Sequence, residues 1–183
     1  MERWDIYDIN KRKTGRTMAR NDWTMQPGDY HLTVLGIVTN KAGQFLITRR
    51  KMDKEWAPGA FEVSGGGVQA GETSLEAVKR EVSEETGLDV SRAEISLLHT
   101  YRNDSPRERN NYFVDIYHIC LDFTPEDVHP QESETDGFRL ADYEEIKRLG
   151  EAGQFLHYKS MQPAFAKLVP AESITDATSS RRL

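Results

Sequence analysis

The sequence predicts an α/β domain, and three observations carry that expectation. The segment His31-Leu-Thr-Val-Leu-Gly-Ile-Val-Thr39 is an almost unbroken apolar and β-branched run, as in a strand covered on both faces. Between Thr73 and Gly87 a helix is signalled from both ends. Further on, two amphipathic segments, Tyr143 to Leu149 and Met161 to Leu168, follow more β-rich stretches.

In chain order, residues 3 to 9 (Arg-Trp-Asp-Ile-Tyr-Asp-Ile) alternate as a strand does. Lys13-Thr14-Gly15 reads as a turn and Arg16 to Arg20 as the return strand, giving a hairpin over residues 3–20. Pro27-Gly28-Asp29 marks a loop before the central strand. A turn around Gly43 leads into Phe45-Leu-Ile-Thr-Arg49, which pairs back. A loop from Lys51 to Gly59 then precedes Ala60-Phe-Glu-Val63, and at Ser64-Gly65-Gly66-Gly67 the backbone is expected to turn sharply. Thr73 with Glu76 forms a capping box, Gly87 suits a left-handed stop, and Leu75, Val78 and Val82 form the inward stripe. Ile95 to Tyr101 and Tyr112 to Phe123 read as strands joined by a polar loop, Arg102 to Asn111. Phe138 to Leu140 reads as a short strand, and Pro163 starts or interrupts the last helix. Residues 1–171 are expected to form one domain and 172–183 a disordered tail.

Composition narrows the function classes. The formal net charge of −6 argues against general nucleic-acid binding by charge, and no run is long enough to span a membrane. The start, Met1-Glu2-Arg3-Trp4-Asp5, lacks a secretory profile. With Cys120 as the sole cysteine no disulfide framework or CxxC site can form, which fits a cytoplasmic location. Cys120, in an apolar strand, reads as a core residue, and His31 and His99 as ordinary strand residues. The basic cluster Lys11-Arg12-Lys13, Arg16 and Arg20 reads as a solvated turn.

The chemistry is concentrated around the capped helix. From Gly66 the chain reaches Glu72, then Arg80-Glu81-Val82-Ser83-Glu84-Glu85-Thr86-Gly87-Leu88. At about 100° per residue Glu81, Glu84 and Glu85 share one face beside the apolar stripe. A solvated acidic face is the plain alternative. Against it, acids near a helix C-terminus oppose the helix dipole, so Glu84 and Glu85 are poorly placed for stability alone. Carboxylates at i, i+3 and i+4 can together reach hard divalent ions, and through them phosphates.

The string Gly66, Glu72, Arg80, Glu81, Val82, Glu84, Glu85, Gly87, Leu88 resembles the complete Nudix box, spanning 66–88. With most of these positions matched by chance about one time in fifteen to twenty, accident would produce it well below about once in a million. The resemblance implies the Nudix fold, an α/β/α sandwich with a mixed β-sheet and the box as loop-helix-loop. It also implies a Mg²⁺-dependent (or Mn²⁺-dependent) hydrolase cleaving a small nucleoside diphosphate derivative, X-P-P-Y, by water attack. Carried over residue by residue, Glu84 and Glu85 are the principal metal ligands and Glu81 a ligand, the base, or both. Gly65 lends its carbonyl, Glu72 sits in the outer shell, and Arg80 orients a glutamate. A base from outside the box is met in several such enzymes; Glu134 is the candidate here, with Glu132 and Asp136 as rivals and an exposed loop acid as the plain alternative.

Upstream, Trp4 to Arg20, Gly28 to Val34 and Phe45 to Arg50 resemble the Nudix subgroup related to isopentenyl diphosphate isomerase. Those isomerases need an active-site cysteine just before the box, where this chain has Phe61-Glu62-Val63-Ser64-Gly65-Gly66-Gly67. Hydrolysis is therefore ranked above isomerisation, and above a catalytically silent nucleotide sensor. Arg49 and Arg50 are candidate substrate contacts, with a surface ion pair as the alternative. Arg107, Arg109, Tyr101 and Tyr112 could supply charge and stacking, or in the tyrosines' case sheet packing. No marker selects ADP-ribose, coenzyme A, NADH or dinucleoside polyphosphates. The extra length of the N-terminal hairpin raises the expectation of a homodimer interface.

Overall fold

The computed structural model describes residues 2–20, 22, 25–105 and 110–170; Arg107, Arg109 and the tail from Glu172 lie outside them. The strands are β1 (Arg3–Tyr7), β2 (Lys13–Ala19), β3 (His31–Thr39), β4 (Phe45–Arg50), β5 (Phe61–Glu62), β6 (Ser64–Gly67), β7 (Glu94–Asn103), β8 (Tyr112–Cys120) and β9 (Thr135–Ala141). Three helices, α1 (Ser74–Thr86), α2 (Tyr143–Glu151) and α3 (Tyr158–Phe165), complete the described elements. Seven strands form one sheet with the path β5-β4-β3-β8-β7, to which β6 adds on β3 and β9 on β4. Only β3 and β8 run parallel, in register from His31↔Tyr112 to Thr39↔Cys120; the other pairs are antiparallel, so the sheet is mixed.

Both faces of the sheet are covered. Val34, Val38, Leu46, Tyr117 and Ile119 pack with Ala77, Val78 and Val82 of α1. Ile37, Ile47, Val114 and Ile116 pack on the other side with Ile146 of α2 and Met161 and Phe165 of α3. Alternation along β3 thus feeds two cores, which is why its sequence reads as continuously apolar. The layering is the expected α/β/α sandwich. At Gly36 the layers meet most closely, since a Cβ there would lie 2.8 Å from Val82 Cγ2 and 3.1 Å from Val78 Cγ2.

Several local expectations are corrected. The hairpin turns at Asp8–Arg12, where the Asp8 carboxylate accepts from the Asn10 and Arg12 amides at 2.9 Å each. Lys13-Thr14-Gly15 is already strand, and the left-handed Gly15 (φ 81°) falls opposite the register shift between Asp5 and Tyr7 instead of making the turn. Ser64-Gly65-Gly66-Gly67 does not turn; it runs as β6, antiparallel to β3. Its glycines are needed for close approach. A Cβ at Gly65 would strike the Val34 carbonyl, one at Gly66 the Glu81 carboxylate, and one at Gly67 would lie 2.6 Å from Trp4 Nε1.

Leu75 is 40% exposed and leaves the inward stripe to Ala77, Val78, Val82 and Thr86. The first turn is held instead by Ser74, whose hydroxyl bonds the Tyr117 hydroxyl at 2.7 Å. The capping box of Thr73 and Glu76 and the left-handed Gly87 (φ 74°) bound α1 as expected. β9 is longer than the three residues expected because it pairs along β4 from Phe45↔Ala141 to Arg50↔Thr135. Pro163 neither starts nor breaks α3, which begins at Tyr158; the bond it omits would go to the exposed Lys159. Cys120, half-buried at the end of β8, is not a full core residue.

The hairpin is docked on its own chain. Trp4, Ile6, Met18 and Met25 form a small core of their own, and Lys11 reaches the buried Asp115 in β8 as an ion pair. No described helix is long and apolar enough to cross a membrane.

Candidate active site

Helix α1 and strand β6 set the geometry. Because the inward stripe runs through Ala77, Val78, Val82 and Thr86, positions 81 and 85 turn partly under the sheet while 84 faces out. The Glu81 side chain is 15% exposed and Glu84 57%. With Glu134 and Gln131 from the loop before β9, the three helix acids line one cleft of about 470 Å³, which also takes in Gly65, Gly66, Arg20, Arg50 and Lys54. The remote Glu134 therefore lies with the helix acids, paired at 2.5 Å with Lys54. Its rivals are placed differently: Asp136 accepts from the Met52 amide at 3.2 Å, and the carbonyl of Glu132 accepts from Lys51 Nζ at 2.9 Å.

Arg80 organises the base of this wall. Its Nε and Nη2 grip Glu72 in a two-pronged pair at 2.9 and 3.0 Å, and Nη2 also donates to the Gly67 carbonyl at 3.2 Å. Its Nη1 donates to Glu81 at 2.7 Å and more weakly to Glu84 at 3.4 Å. Glu72, held also by the Gln69 amide at 2.9 Å, is spent on this clamp and does not line the cleft. The clamp joins the loop before α1 to the helix itself, which fixes where the acids point.

Charge in the cleft is under-compensated. Burial pushes the Glu85 carboxyl up to about 8, with the Glu81 and Glu62 carboxylates adding to the rise and hydrogen bonds from Ser64 and the Gly65 amide opposing it. Burial also raises Glu81, against the pull of Arg80, and raises Glu62, against the pull of Arg50. Among the described residues no three His, Cys, Asp or Glu side chains converge tightly enough to hold an ion as they stand; Arg80 pairs with Glu81 and Glu84, and Lys54 with Glu134. The donor set nevertheless fits a hard dication. It offers only oxygen, and a carboxyl pushed up to about 8 by burial, with neighbouring negative charge adding to it, is a group that a cation would restore to its ionised form.

Beside the acid cleft, and sharing Arg50, Gly65 and Gly66 with it, lies a second cleft of about 360 Å³. Its walls include Trp56, Tyr101, Tyr112, His157, Asn110 and Leu35. Trp56 is 57% exposed, with its ring 6.0 Å from His157 and the Arg50 guanidinium 5.3 Å over it. Tyr101 and Tyr112 therefore face a cavity as well as packing on the sheet. His31 is more than an ordinary strand residue: it lines this cleft and stacks on Trp4 at 4.5 Å. The paired arginines separate, as strand alternation requires. Arg50 bonds Glu62 at 3.1 Å and lines both clefts, whereas Arg49 bonds the Gly59 carbonyl at 3.3 Å and lines neither. Cys120 opens on another cavity, of about 530 Å³, which shares no lining residue with the acid cleft.

Sequence reasoning did not find Glu62, Lys54, Gln131, Trp56 or His157, and it read Arg20 as solvated. Glu62 had one weak signal, an acid in a short apolar strand directly before the glycines. The others reach the clefts from three stretches outside the box, with Lys54 and Trp56 sharing one, and carry no local pattern.

The family model described as the NUDIX domain matches residues 29–162. An uncharacterised Nudix hydrolase of Listeria monocytogenes is 31% identical over 166 residues, covering 90% of this chain and 94% of that protein. The 8-oxo-dGTP diphosphatase of Haemophilus influenzae is 42% identical over 60 residues, 33% of this chain and 43% of that protein. Among solved structures, a Deinococcus radiodurans protein superposes with a TM-score of 0.66 at 25% identity, covering 84% of this chain and 91% of that one.

Proposed function

Because this chain belongs to the Nudix hydrolase family, whose members are pyrophosphohydrolases that generally use divalent cations, we propose that it hydrolyses a nucleoside diphosphate derivative at its diphosphate bond. The observation that carries this reading is the single cleft in which Glu81, Glu84, Glu85 and Glu134 meet, opening beside a neutral aromatic one. The likeness to an 8-oxo-dGTP diphosphatase, over a third of this chain, supports a nucleotide as substrate class and goes no further.

Glu81, Glu84 and Glu85, with the Gly65 carbonyl, are the groups that would hold Mg²⁺ or Mn²⁺. When bound, such an ion neutralises the diphosphate and lowers the pKa of a water beside it. Arg80 keeps Glu81 in position through its bond at 2.7 Å. A carboxylate within reach of the attacking water, Glu81 or Glu134, accepts its proton as the water oxygen bonds to one phosphorus. The bridging P–O bond breaks, and its electron pair stays on the departing phosphate. Arg50 lines both clefts, which supports it as the contact for the phosphate end of the substrate.

The upstream likeness to the isomerase-related subgroup supports neither isomerisation nor its thiol chemistry, since Phe61 to Gly67 contains no cysteine. The single cysteine and the small-nucleotide chemistry fit a cytoplasmic enzyme. A panel of nucleoside diphosphate derivatives with Mg²⁺ or Mn²⁺ tests the reading. Phosphate-terminated products from at least one member are expected. Conversion of isopentenyl diphosphate to its allylic isomer, or nucleotide binding with no turnover across the panel, would overturn it. Light scattering addresses the dimer separately; a monomer rejects that part.

A further inference from the structure

The matched family domain begins at residue 29, yet the acid cleft is not complete without residues that precede it. We propose that Arg20, carried by the N-terminal hairpin, binds substrate phosphate in this cleft; the inference rests on reading the cleft as a site for a dication and a diphosphate.

The hairpin is built onto the loop that precedes α1. The Ala70 amide donates to the Arg3 carbonyl at 2.8 Å and the Gly71 amide to the Asp5 carboxylate at 2.9 Å. Trp4 lies against Gly67 so closely that a Cβ there would sit 2.6 Å from its Nε1. The end of the hairpin is fixed in turn, because the Arg20 amide donates to the Glu2 carbonyl at 3.0 Å. From that anchored position the Arg20 side chain lines the cleft together with Glu81, Glu84, Glu85 and Glu134.

The other two cations of the cleft are less exposed, at 19% for the Arg50 side chain and 25% for Lys54, and each is tied to a carboxylate lining one of the clefts. Arg50 bonds Glu62 at 3.1 Å and the Trp56 carbonyl at 3.2 Å, and Lys54 is held by Glu134 at 2.5 Å. Arg20 makes one side-chain bond among the described residues, from Nη1 to Glu2 at 2.7 Å, and its side chain is 55% exposed. A guanidinium has five N–H donors, so most of its fork remains available, in the planar arrangement that matches phosphate oxygens. An exposed pair with Glu2 contributes little to folding. The same pair does hold a cation on the hairpin wall while the helix supplies the acids, which are the two charges that a dication–diphosphate complex needs.

Calorimetry on the full chain tests this, using Mg²⁺ alone and Mg²⁺ with methylene diphosphonate, which cannot be hydrolysed. Arg20→Ala and Arg20→Gln are expected to weaken diphosphonate binding about ten- to a hundredfold, the loss of a charged hydrogen-bonding partner. Arg20→Lys should recover part of that loss. Uptake of Mg²⁺ alone and the melting temperature should stay at the wild-type values in all three variants. Wild-type diphosphonate affinity in Arg20→Ala and Arg20→Gln would overturn the assignment and leave the cleft's function standing. A wild-type protein that takes up neither Mg²⁺ nor the diphosphonate would bring down both.

Discussion

The helix wall of the acid cleft and the loop wall facing it are made in different ways. On the helix side, Glu81, Glu84 and Glu85 come from a single capped turn pair, and Arg80 on the same helix ties Glu81 and Glu84 to Glu72 and the Gly67 carbonyl. On the loop side, Lys54 arrives from one segment and Gln131 and Glu134 from another far along the chain, while Trp56, Glu62 and His157 line the neighbouring aromatic cleft. Those segments are stapled together by the Lys51 amide to the Glu134 carbonyl at 3.3 Å, Met52 to Asp136, and the Gln131 amide to the Glu85 carbonyl at 3.1 Å. The helix wall carries its acids on one capped helix, with Glu81 and Glu84 tied through Arg80. The loop wall is a set of contacts that can be altered one at a time, which suits selection among substrates.

The largest effect should come from the helix wall. Glu85→Gln is expected to lower kcat by about a thousandfold, since it removes a metal-facing charge. It should leave the metal-free protein as stable as before, or more so, because Gln carries no charge to bury. Phosphate release and a thermal melt read the two effects, and equal activity would remove Glu85 from the chemistry. Next comes Gly66→Ala, whose added methyl meets the Glu81 carboxylate. The far end of a side chain can swing away, so a loss of about a hundredfold in kcat with little loss of stability is expected. Gly36→Ala provides the contrast. Its methyl meets Val82 at 2.8 Å and Val78 at 3.1 Å in the core, and about 1–3 kcal/mol of stability should go, measurable by urea unfolding. If the two alanines behaved alike, the distinction between packing and active-site glycines would fail.

On the loop wall, Trp56→Ala should raise KM about three- to tenfold for the preferred nucleotide, the worth of one stacking contact, with kcat and stability nearly unchanged. A drop in kcat with KM constant would place Trp56 in the chemistry instead.

The smallest effect is a pH dependence of the metal-free fold. Glu85 ionises at about 8 in the folded chain, against the ordinary 4.5. Between those values the folded state holds a proton that the unfolded state has released, so stability falls as pH rises. The metal-free melting temperature should therefore be higher near pH 5.5 than near pH 8. Added Mg²⁺ should raise it more at pH 8, because binding displaces that proton. A melting temperature that rose with pH in metal-free buffer would contradict the charge balance of the cleft.

Much of the fold was legible from local pattern. The capping box and Gly87 located α1 because caps act within four residues, and β3 announced its double burial because alternate residues feed two cores. Leu75 misled because helical periodicity gives a stripe but not its rotation, which the contact of Val78 and Val82 with Gly36 decides. The glycines before the box misled in kind. Sequence suggests left-handed turns for such a run, whereas these lie in an extended strand and serve as clearance for Val34, Glu81 and Trp4.

The sequence by itself determined the family, the acid-bearing helix and, β6 excepted, the order of strands and helices, since each depends on residues close together in the chain. Only the tertiary structure decided that Glu134 joins the helix acids, that Arg50 and not Arg49 reaches the clefts, and that the hairpin contributes Arg20. The clefts gather Arg20, Arg50, Glu81 and Glu134, positions 30 to 114 residues apart, and no local periodicity records which distant side chains a folded chain will bring together.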